Sequence, residues 1–232
     1  MKEEKTLFII PARGGSKGIP AKNIKLLGNK PLIIYSVDFA RQFAGDENIC
    51  VSTDNDAIID VVAKYGLKVP FKRPDELATD TAGTHEVLLH AINYYKSKGR
   101  EFDKLVLLQP TSPFRQSEHF ITANELYNET LDMVVTVSES KANPYFNLFE
   151  ENKEGLLEKS KPGNYTRRQD CPVVYAYNGS IYIINVKSLL MDKLNTFKKV
   201  KKSVMQAEYS LDLDTELDWL MAEFLLKNKS GL

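Results

Sequence analysis

A loop rich in glycine and cations directly follows the first apolar strand of this sequence. Residues 9–23 read Ile-Ile-Pro-Ala-Arg-Gly-Gly-Ser-Lys-Gly-Ile-Pro-Ala-Lys-Asn. Glycines at positions 14, 15 and 18 let backbone N–H groups approach an anion without an intervening Cβ, and Arg13, Lys17 and Lys22 add charged donors. The spacing matches neither a Walker A loop nor a Gly-x-Gly-x-x-Gly loop. The loop therefore predicts a polyphosphate site at the end of a strand, with a basic surface turn as the alternative.

Composition bounds the class of protein. A chain of 232 residues suffices for one large α/β domain, or for one domain with an added arm. Lys plus Arg equals Asp plus Glu at 31 each, so neither nucleic acid nor an anionic membrane is an expected partner. Two distant cysteines, Cys50 and Cys171, favour a reducing cytoplasm over a disulfide framework. The first residues are acidic as well as basic and precede only a brief apolar run, so neither a signal peptide nor a membrane span is predicted.

Strand and helix patterns alternate through the first 137 residues. Short apolar runs predict strands at 7–10, 49–52, 68–71, 105–108 and 133–137, and helices are predicted between them at 32–43, 56–64, 85–96 and 118–127. Asp54 and Ser117 are the candidate N-caps of the second and fourth helices. The alternation predicts a doubly wound, mostly parallel sheet with its ligands at the carboxyl ends of the strands.

The pattern changes at residues 138–177, which are polar and aromatic and lack a helical period. We interpret this segment as an inserted arm. Its aromatic side chains need a partner surface, which predicts a homodimer; they are Tyr145, Phe146, Phe149 and Tyr165.

After the arm, strands are predicted at 180–185 and near 203–207, followed by a final amphipathic helix. In that helix the spacing predicts a core stripe of Leu217, Leu220, Met221, Phe224 and Leu225. Trp219 lies off the stripe, where half exposure is expected.

Two aspartates separated by one leucine form the second strong signal. In an extended segment Asp212 and Asp214 project to one side, while Leu211 and Leu213 turn to the core. Two carboxylates about 5 Å apart repel by roughly 3 kcal/mol at an effective dielectric near 20. A hard divalent cation such as Mg²⁺ removes that cost. The alternative is that Asp214 caps the last helix.

Two loops complete the candidate site. Residues 109–115, Gln-Pro-Thr-Ser-Pro-Phe-Arg, hold polar side chains on a backbone fixed by prolines, and a structural turn is the alternative. Residues 73–84 form a connection longer than usual, which favours a binding loop, although Arg73 has the alternative of pairing with Asp75 or Asp80.

These segments, with Asn178-Gly-Ser-Ile-Tyr182, resemble the acylneuraminate cytidylyltransferases in order and across nearly the whole chain. The resemblance implies a Rossmann-like nucleotidyltransferase domain over residues 1–232, with residues 138–177 as a dimerisation arm. It implies transfer of CMP from CTP to the anomeric hydroxyl of a nonulosonic acid, with release of pyrophosphate and with Mg²⁺, or alternatively Mn²⁺, as cofactor.

The resemblance also implies roles for individual residues. The CTP-binding set is Ala12, Arg13, Ser16, Lys17, Lys22, Asn23, Arg73, Ala82, Thr84 and Gln109, of which Arg13, Ser16, Lys17 and Lys22 would hold the triphosphate. Gln109 would also meet the sugar, together with Tyr182, Phe197 and Arg168 of a partner's arm; Arg167 and Lys141 are alternatives to Arg168. Lys22, Arg13 and Asp212 would act in catalysis, and Asp212 and Asp214 would hold the metal.

Other functions stay open at this point. N-acetylneuraminic and legionaminic acid are the favoured sugars, and Kdo and pseudaminic acid are alternatives. A CTP-binding module without catalysis is a third possibility, which the paired carboxylates disfavour.

Overall fold

A computed structural model describes residues 5–16, 18–79 and 81–228 of the chain. Strands are β1 Thr6–Pro11, β2 Leu26–Leu27, β3 Lys30–Pro31, β4 Ile49–Ser52, β5 Lys104–Leu108, β6 Met133–Glu139, β7 Phe149–Glu151, β8 Leu157–Lys159, β9 Tyr175–Asn185 and β10 Val200–Val204. Helices are α1 Leu32–Ala40, α2 Asp56–Lys64, α3 Thr84–Ser97, α4 Ser117–Leu126, α5 Val186–Met191 and α6 Glu216–Asn228.

The central sheet of the described residues has six strands in the order β10-β6-β9-β5-β1-β4. Strand β1 runs parallel to β4 and β5, and β10 runs parallel to β6. Strand β9 is antiparallel to β5 and β6 on either side of it. The predicted α/β class with a mostly parallel sheet is confirmed, and the carboxyl ends of β1, β4 and β5 meet at one edge.

Helices cover both faces of this sheet, which explains the continuous apolar strands. In β1 the side chains of Phe8 and Ile10 pack with α1, α2 and α4, while those of Leu7 and Ile9 pack with α3 and α5. Successive strand residues point to opposite faces, so a strand buried on both faces is apolar at most of its positions.

Several local predictions are wrong. Residues 68–71 form no strand, and this segment meets the sheet only through the bridge between Thr53 and Lys72; Pro70 has no N–H to donate to a ladder. Asn55 rather than Asp54 caps α2, because its side chain accepts the Ile58 N–H at 3.2 Å. The predicted strand near 203–207 begins earlier, at Val200.

Helix α4 likewise begins differently from the prediction. Gln116, not Ser117, is its N-cap, and the Gln116 N–H donates to His119 Nδ1 at 2.9 Å. The two residues form a reciprocal capping box.

Helix α6 presents the opposite face to that predicted. Trp219 is buried at 2% exposure, with Ala222, against Ile19, Leu27 and Leu32. The predicted core stripe is mostly exposed, with Leu217 at 66% and Phe224 at 65%. Because α6 carries apolar residues around most of its circumference, its periodicity alone does not identify the packed face.

The predicted arm runs from the last residues of β6, through the β7–β8 hairpin, to the first residues of β9. The rings of Tyr145 and Tyr165 contact each other with centroids 5.8 Å apart, and Phe149 is 48% exposed. A role for this arm in dimerisation stays a prediction. Among the described residues, no helix has the length and apolar character needed to span a bilayer.

Candidate active site

A polar cavity of about 590 Å³ opens at the carboxyl ends of β1, β4 and β5. Its lining includes the predicted residues Arg13, Ser16, Lys22, Asn23, Arg73, Ala82, Thr84, Gln109, Asp212 and Asp214. Residues from four separate parts of the sequence therefore surround one space. Lys17 lies outside the described residues. Ala12 does not line the cavity, since it is buried in the core and its N–H donates to Ser52 O at 2.9 Å.

The glycine-rich loop is fixed from two sides. The Gly14 N–H donates to Asp54 Oδ1 at 3.0 Å, which gives Asp54 a structural role that differs from the predicted helix cap. On the other side, a Cβ at Gly18 would lie 2.0 Å from the backbone oxygen of Asp214. Only glycine allows this approach of the loop to the aspartate segment.

Arg73 organises the long loop at 73–84. It is 4% exposed, and its guanidinium donates to Ser52 Oγ at 3.0 Å, to Ser52 O and to Leu77 O. Burial lowers the pKa of Arg73, although it remains a cation at neutral pH. Among the described residues its hydrogen bonds thus go to neutral oxygens instead of to Asp75, and they hold Leu77 and the following turn over the cavity. Asp80, the other predicted partner, lies outside the described residues.

Lys22 joins the phosphate loop to the aspartate segment. Its Nζ donates to Leu213 O at 2.7 Å and to Asp214 Oδ1 at 2.9 Å. Leu213 is fully buried, and Asp212 and Asp214 on either side of it both line the cavity, as the extended pattern predicts.

The two aspartates have different surroundings. The Asp214 side chain is 71% exposed, whereas Asp212 Oδ1 is buried and has no hydrogen-bond partner among the described residues. Burial raises the pKa of Asp212, and a hydrogen bond with Thr111 opposes that rise. An uncompensated carboxylate oxygen beside a second carboxylate fits a hard divalent cation. Within the described residues no group of three potential metal-binding side chains exists, so phosphate oxygens would have to complete such a site.

The alternative role of Asp214 as a helix cap is wrong. Thr215 Oγ accepts the Asp218 N–H at 3.2 Å, and the Asp218 carboxylate accepts the Thr215 N–H at 2.7 Å. This reciprocal pair caps α6 and leaves the Asp214 carboxylate to the cavity.

A second cavity of about 450 Å³ adjoins the first, and Thr84 and Gln109 line both. Its further lining residues are Gly83, His85, Glu86, Leu107, Met133, Tyr177, Tyr182, Lys193, Leu194 and Asn195. Burial, followed by the charge of Asp212, raises the pKa of Tyr182 to about 12, so its phenol stays protonated.

The sequence predicts this second cavity only in part. Tyr182 lies where expected, whereas Phe197 packs against the adjacent core and Arg168 lies exposed on the arm, and neither is part of the cavity lining. Residues 193–195 were missed because nothing in their composition distinguishes them from an ordinary surface turn. Tyr177 was missed because β9 begins at Tyr175, five residues before the predicted strand; its ring lies 6.0 Å from that of Tyr182.

Known proteins are similar to this chain in sequence and in fold. A cytidylyltransferase family model matches residues 7–228. Post-translational flagellin modification protein B of Campylobacter coli is 38% identical over 97% of this chain and 96% of its own length. CMP-N,N'-diacetyllegionaminic acid synthase of Legionella pneumophila is 36% identical over 95% of this chain and 96% of its own length.

Two further comparisons concern a longer relative and a solved structure of similar fold. N-acylneuraminate cytidylyltransferase of Escherichia coli O18:K1:H7 is 33% identical over 97% of this chain, which spans 53% of that relative. The solved structure of a CMP:2-keto-3-deoxy-manno-octonic acid synthetase in complex with CTP matches with a TM-score of 0.71 at 18% identity, covering 96% of this chain and 98% of that one.

Proposed function

The chain belongs to the cytidylyltransferase family, and we propose that it transfers CMP from CTP to the anomeric hydroxyl of a nonulosonic acid, with release of pyrophosphate. The main support for this proposal is the pair of adjoining cavities. The glycine-rich loop and the two aspartates line one cavity, the other is largely apolar, and Gln109 lies at their boundary. The names of the relatives favour N-acetylneuraminic or legionaminic acid over other sugars.

Arg13, Ser16 and Lys22 would bind the triphosphate. Lys22 uses two of its three N–H donors on Leu213 and Asp214 within the described part of the chain, so one remains for a phosphate oxygen. As the bond to the α-phosphorus breaks, negative charge accumulates on the departing pyrophosphate. Fixed cations beside the phosphates stabilise that charge in the transition state.

The loop at 73–84 would select the base. The Ala82 N–H is already used, because it donates to Thr79 Oγ1 at 3.1 Å. Its carbonyl therefore remains as the group that meets the base, and a carbonyl accepts from the amino group of cytosine but gains nothing from the corresponding oxygen of uracil. CTP should be used in preference to UTP.

Asp212 and Asp214 would hold Mg²⁺, or Mn²⁺ in its place. When bound, such an ion lowers the pKa of a coordinated hydroxyl and neutralises phosphate charge. The buried Oδ1 of Asp212 is the observation that supports this assignment.

Tyr182 would form the apolar wall for the N-acyl group of the sugar, with Phe197 behind it. Arg168 from the arm of a second copy would pair with the sugar carboxylate, which makes a homodimer part of the proposal. A cytoplasmic location is also part of it, since Cys50 and Cys171 are both free thiols that fit a reducing compartment.

The test is pyrophosphate release from CTP or UTP, with and without Mg²⁺, across N-acetylneuraminic, legionaminic, pseudaminic and Kdo acceptors. We expect release with CTP, Mg²⁺ and one of the first two sugars. Release with UTP at an equal rate would contradict the role given to Ala82. Tight CTP binding without release for any acceptor would instead identify a non-catalytic CTP-binding module.

A further inference from the structure

Arg115 is a buried cation whose hydrogen-bond acceptors are neutral. The residue is 4% exposed, and its guanidinium donates to Ser36 Oγ at 2.7 Å, to Ser180 Oγ at 3.3 Å and to the backbone oxygen of Gln109 at 2.5 Å. Burying a guanidinium without a bonded carboxylate costs free energy of folding. Well-packed apolar residues in place of a buried charged group often give the same stability or a higher one. Stability alone therefore gives no reason for an arginine at this position.

The bond to Gln109 suggests another reason. The Gln109 side chain lies at the boundary of the two cavities, and Arg115 holds its backbone carbonyl. Ser180, a second acceptor of Arg115, follows Gly179, where an added Cβ would lie 2.7 Å from Gln109 Oε1. A single guanidinium thus ties together the two chain segments that enclose the Gln109 amide.

The charge of Arg115 also has a counterpart at the site. Asp212, whose buried Oδ1 lacks a partner among the described residues, attracts the guanidinium electrostatically. The planar fork of arginine reaches three oxygens at fixed angles, which the single ammonium of lysine does not reproduce.

We propose that Arg115 is a positioning residue for the transfer reaction: it holds Gln109 between the cavities so that the sugar and the nucleotide meet in reactive alignment. This role presupposes the proposed cytidylyl transfer. It predicts a loss in kcat without a loss in nucleotide binding, since Arg115 itself does not line either cavity.

The first experiment compares Arg115→Met with Lys104→Met. Lys104 is a matched control because it is also a cation at 4% exposure, donates to Asn124 Oδ1 at 2.9 Å, and lies at the other end of β5. We expect Arg115→Met to lower kcat at least about tenfold with KM for CTP within about twofold, and Lys104→Met to leave kcat within about twofold. Equal kcat losses in both variants would overturn the proposal.

A double-mutant cycle tests whether Arg115 acts through Gln109. In a Gln109→Ala background, Arg115→Met should lower kcat by less than about threefold, because the positioned group is already gone. Two losses that multiply fully would overturn the proposal. If Arg115→Met fails to fold, Arg115→Lys and Ser180→Ala replace it in the same cycle, with smaller losses in the same direction.

The side-chain amide of Gln109 gives a readout that needs no turnover. Its ¹⁵N–¹H signals are assigned by their absence in Gln109→Ala. We expect them to shift toward the free-amide position in Arg115→Met and to stay unchanged in Lys104→Met. If the wild type releases no pyrophosphate, the proposed function fails, and the amide spectrum still decides the positioning: unchanged signals in Arg115→Met would refute it.

Discussion

Substituting Gly179 by alanine separates the cost of backbone strain from the cost of displacing Gln109. Gly179 has a φ of +70°, and its added Cβ would lie 2.7 Å from Gln109 Oε1 and 3.1 Å from Ser112 Oγ. Gly99 has nearly the same φ, +74°, but an added Cβ meets no atom within 4 Å. The two alanine variants therefore share the strain and differ in the contact.

The strain is worth about 1–2 kcal/mol, the penalty for a Cβ in the left-handed region. For a chain of this length each kcal/mol lowers Tm by about 2–4 °C. Both variants should therefore melt about 2–8 °C below the wild type. In Gly179→Ala the closest atom is the end of a flexible side chain, so Gln109 can move away without unfolding the loop. Its amide would then leave the boundary between the cavities.

Urea unfolding and pyrophosphate release, measured on both variants, separate the effect of backbone strain from that of displacing Gln109. We expect similar losses in the free energy of unfolding, with kcat lowered at least about tenfold in Gly179→Ala and within about twofold of wild type in Gly99→Ala. Full activity in Gly179→Ala would refute the placement of Gln109 as the group that aligns the two substrates.

Three shorter predictions concern the loop and the arm. Lys22→Ala should lower kcat far more than it raises KM for CTP, because a charge that acts mainly on the transition state has that kinetic signature; a change in KM alone would contradict it. Gly18→Ala should destabilise the protein, as its Cβ would lie 2.0 Å from a backbone oxygen, whereas Gly15→Ala, with nothing within 4 Å, should stabilise it by up to about 1 kcal/mol in urea unfolding. Phe149→Glu should convert a dimer into monomers in light scattering, and a wild-type chain that is already monomeric would rule out the arm interface.

The fold was predictable where local pattern and burial agree. Five apolar runs alternate with helical spacing, and four of the runs form strands of the six-stranded sheet, whose two faces are both covered by helices. Prediction failed where two local patterns compete. Helix α6 carries apolar residues on both faces, and the size of Trp219 and its fit against Ile19 and Leu27 decide which face packs. Such a choice depends on the shape of a distant surface, which no local spacing encodes.

The candidate site was predictable because loops at the carboxyl ends of parallel strands converge. Arg13 and Gln109 belong to the loops that follow β1 and β5, and they line one cavity with Arg73, whose segment meets the sheet through the bridge between Thr53 and Lys72. The residues that hold these side chains in place were not predictable. Arg115 reaches Ser36 and Ser180, which lie 79 and 65 positions away in the sequence. These contacts require a known tertiary arrangement, and the sequence shows only a serine and an arginine among many.

Asp212 and Asp214 differ in burial, and the difference predicts unequal effects on turnover when each is substituted. The Asp214 side chain is 71% exposed and pairs with Lys22 at 2.9 Å, so water also solvates the Asp214 carboxylate. Asp212 Oδ1 is buried without a partner among the described residues, so water does not compensate its charge. Asp212→Asn should therefore abolish nearly all turnover at every Mg²⁺ concentration while CTP affinity stays near normal.

Asp214→Asn should retain partial activity and need more Mg²⁺, because the amide keeps one oxygen ligand at an accessible position. The sequence suggests a different reason for a mild effect, namely capping of α6, but Thr215 and Asp218 perform that role. A Mg²⁺ titration of kcat in both variants tests the ranking. Equal losses would show that exposure does not govern how the carboxylates act, and wild-type behaviour of Asp212→Asn would show that the phosphates alone hold the metal.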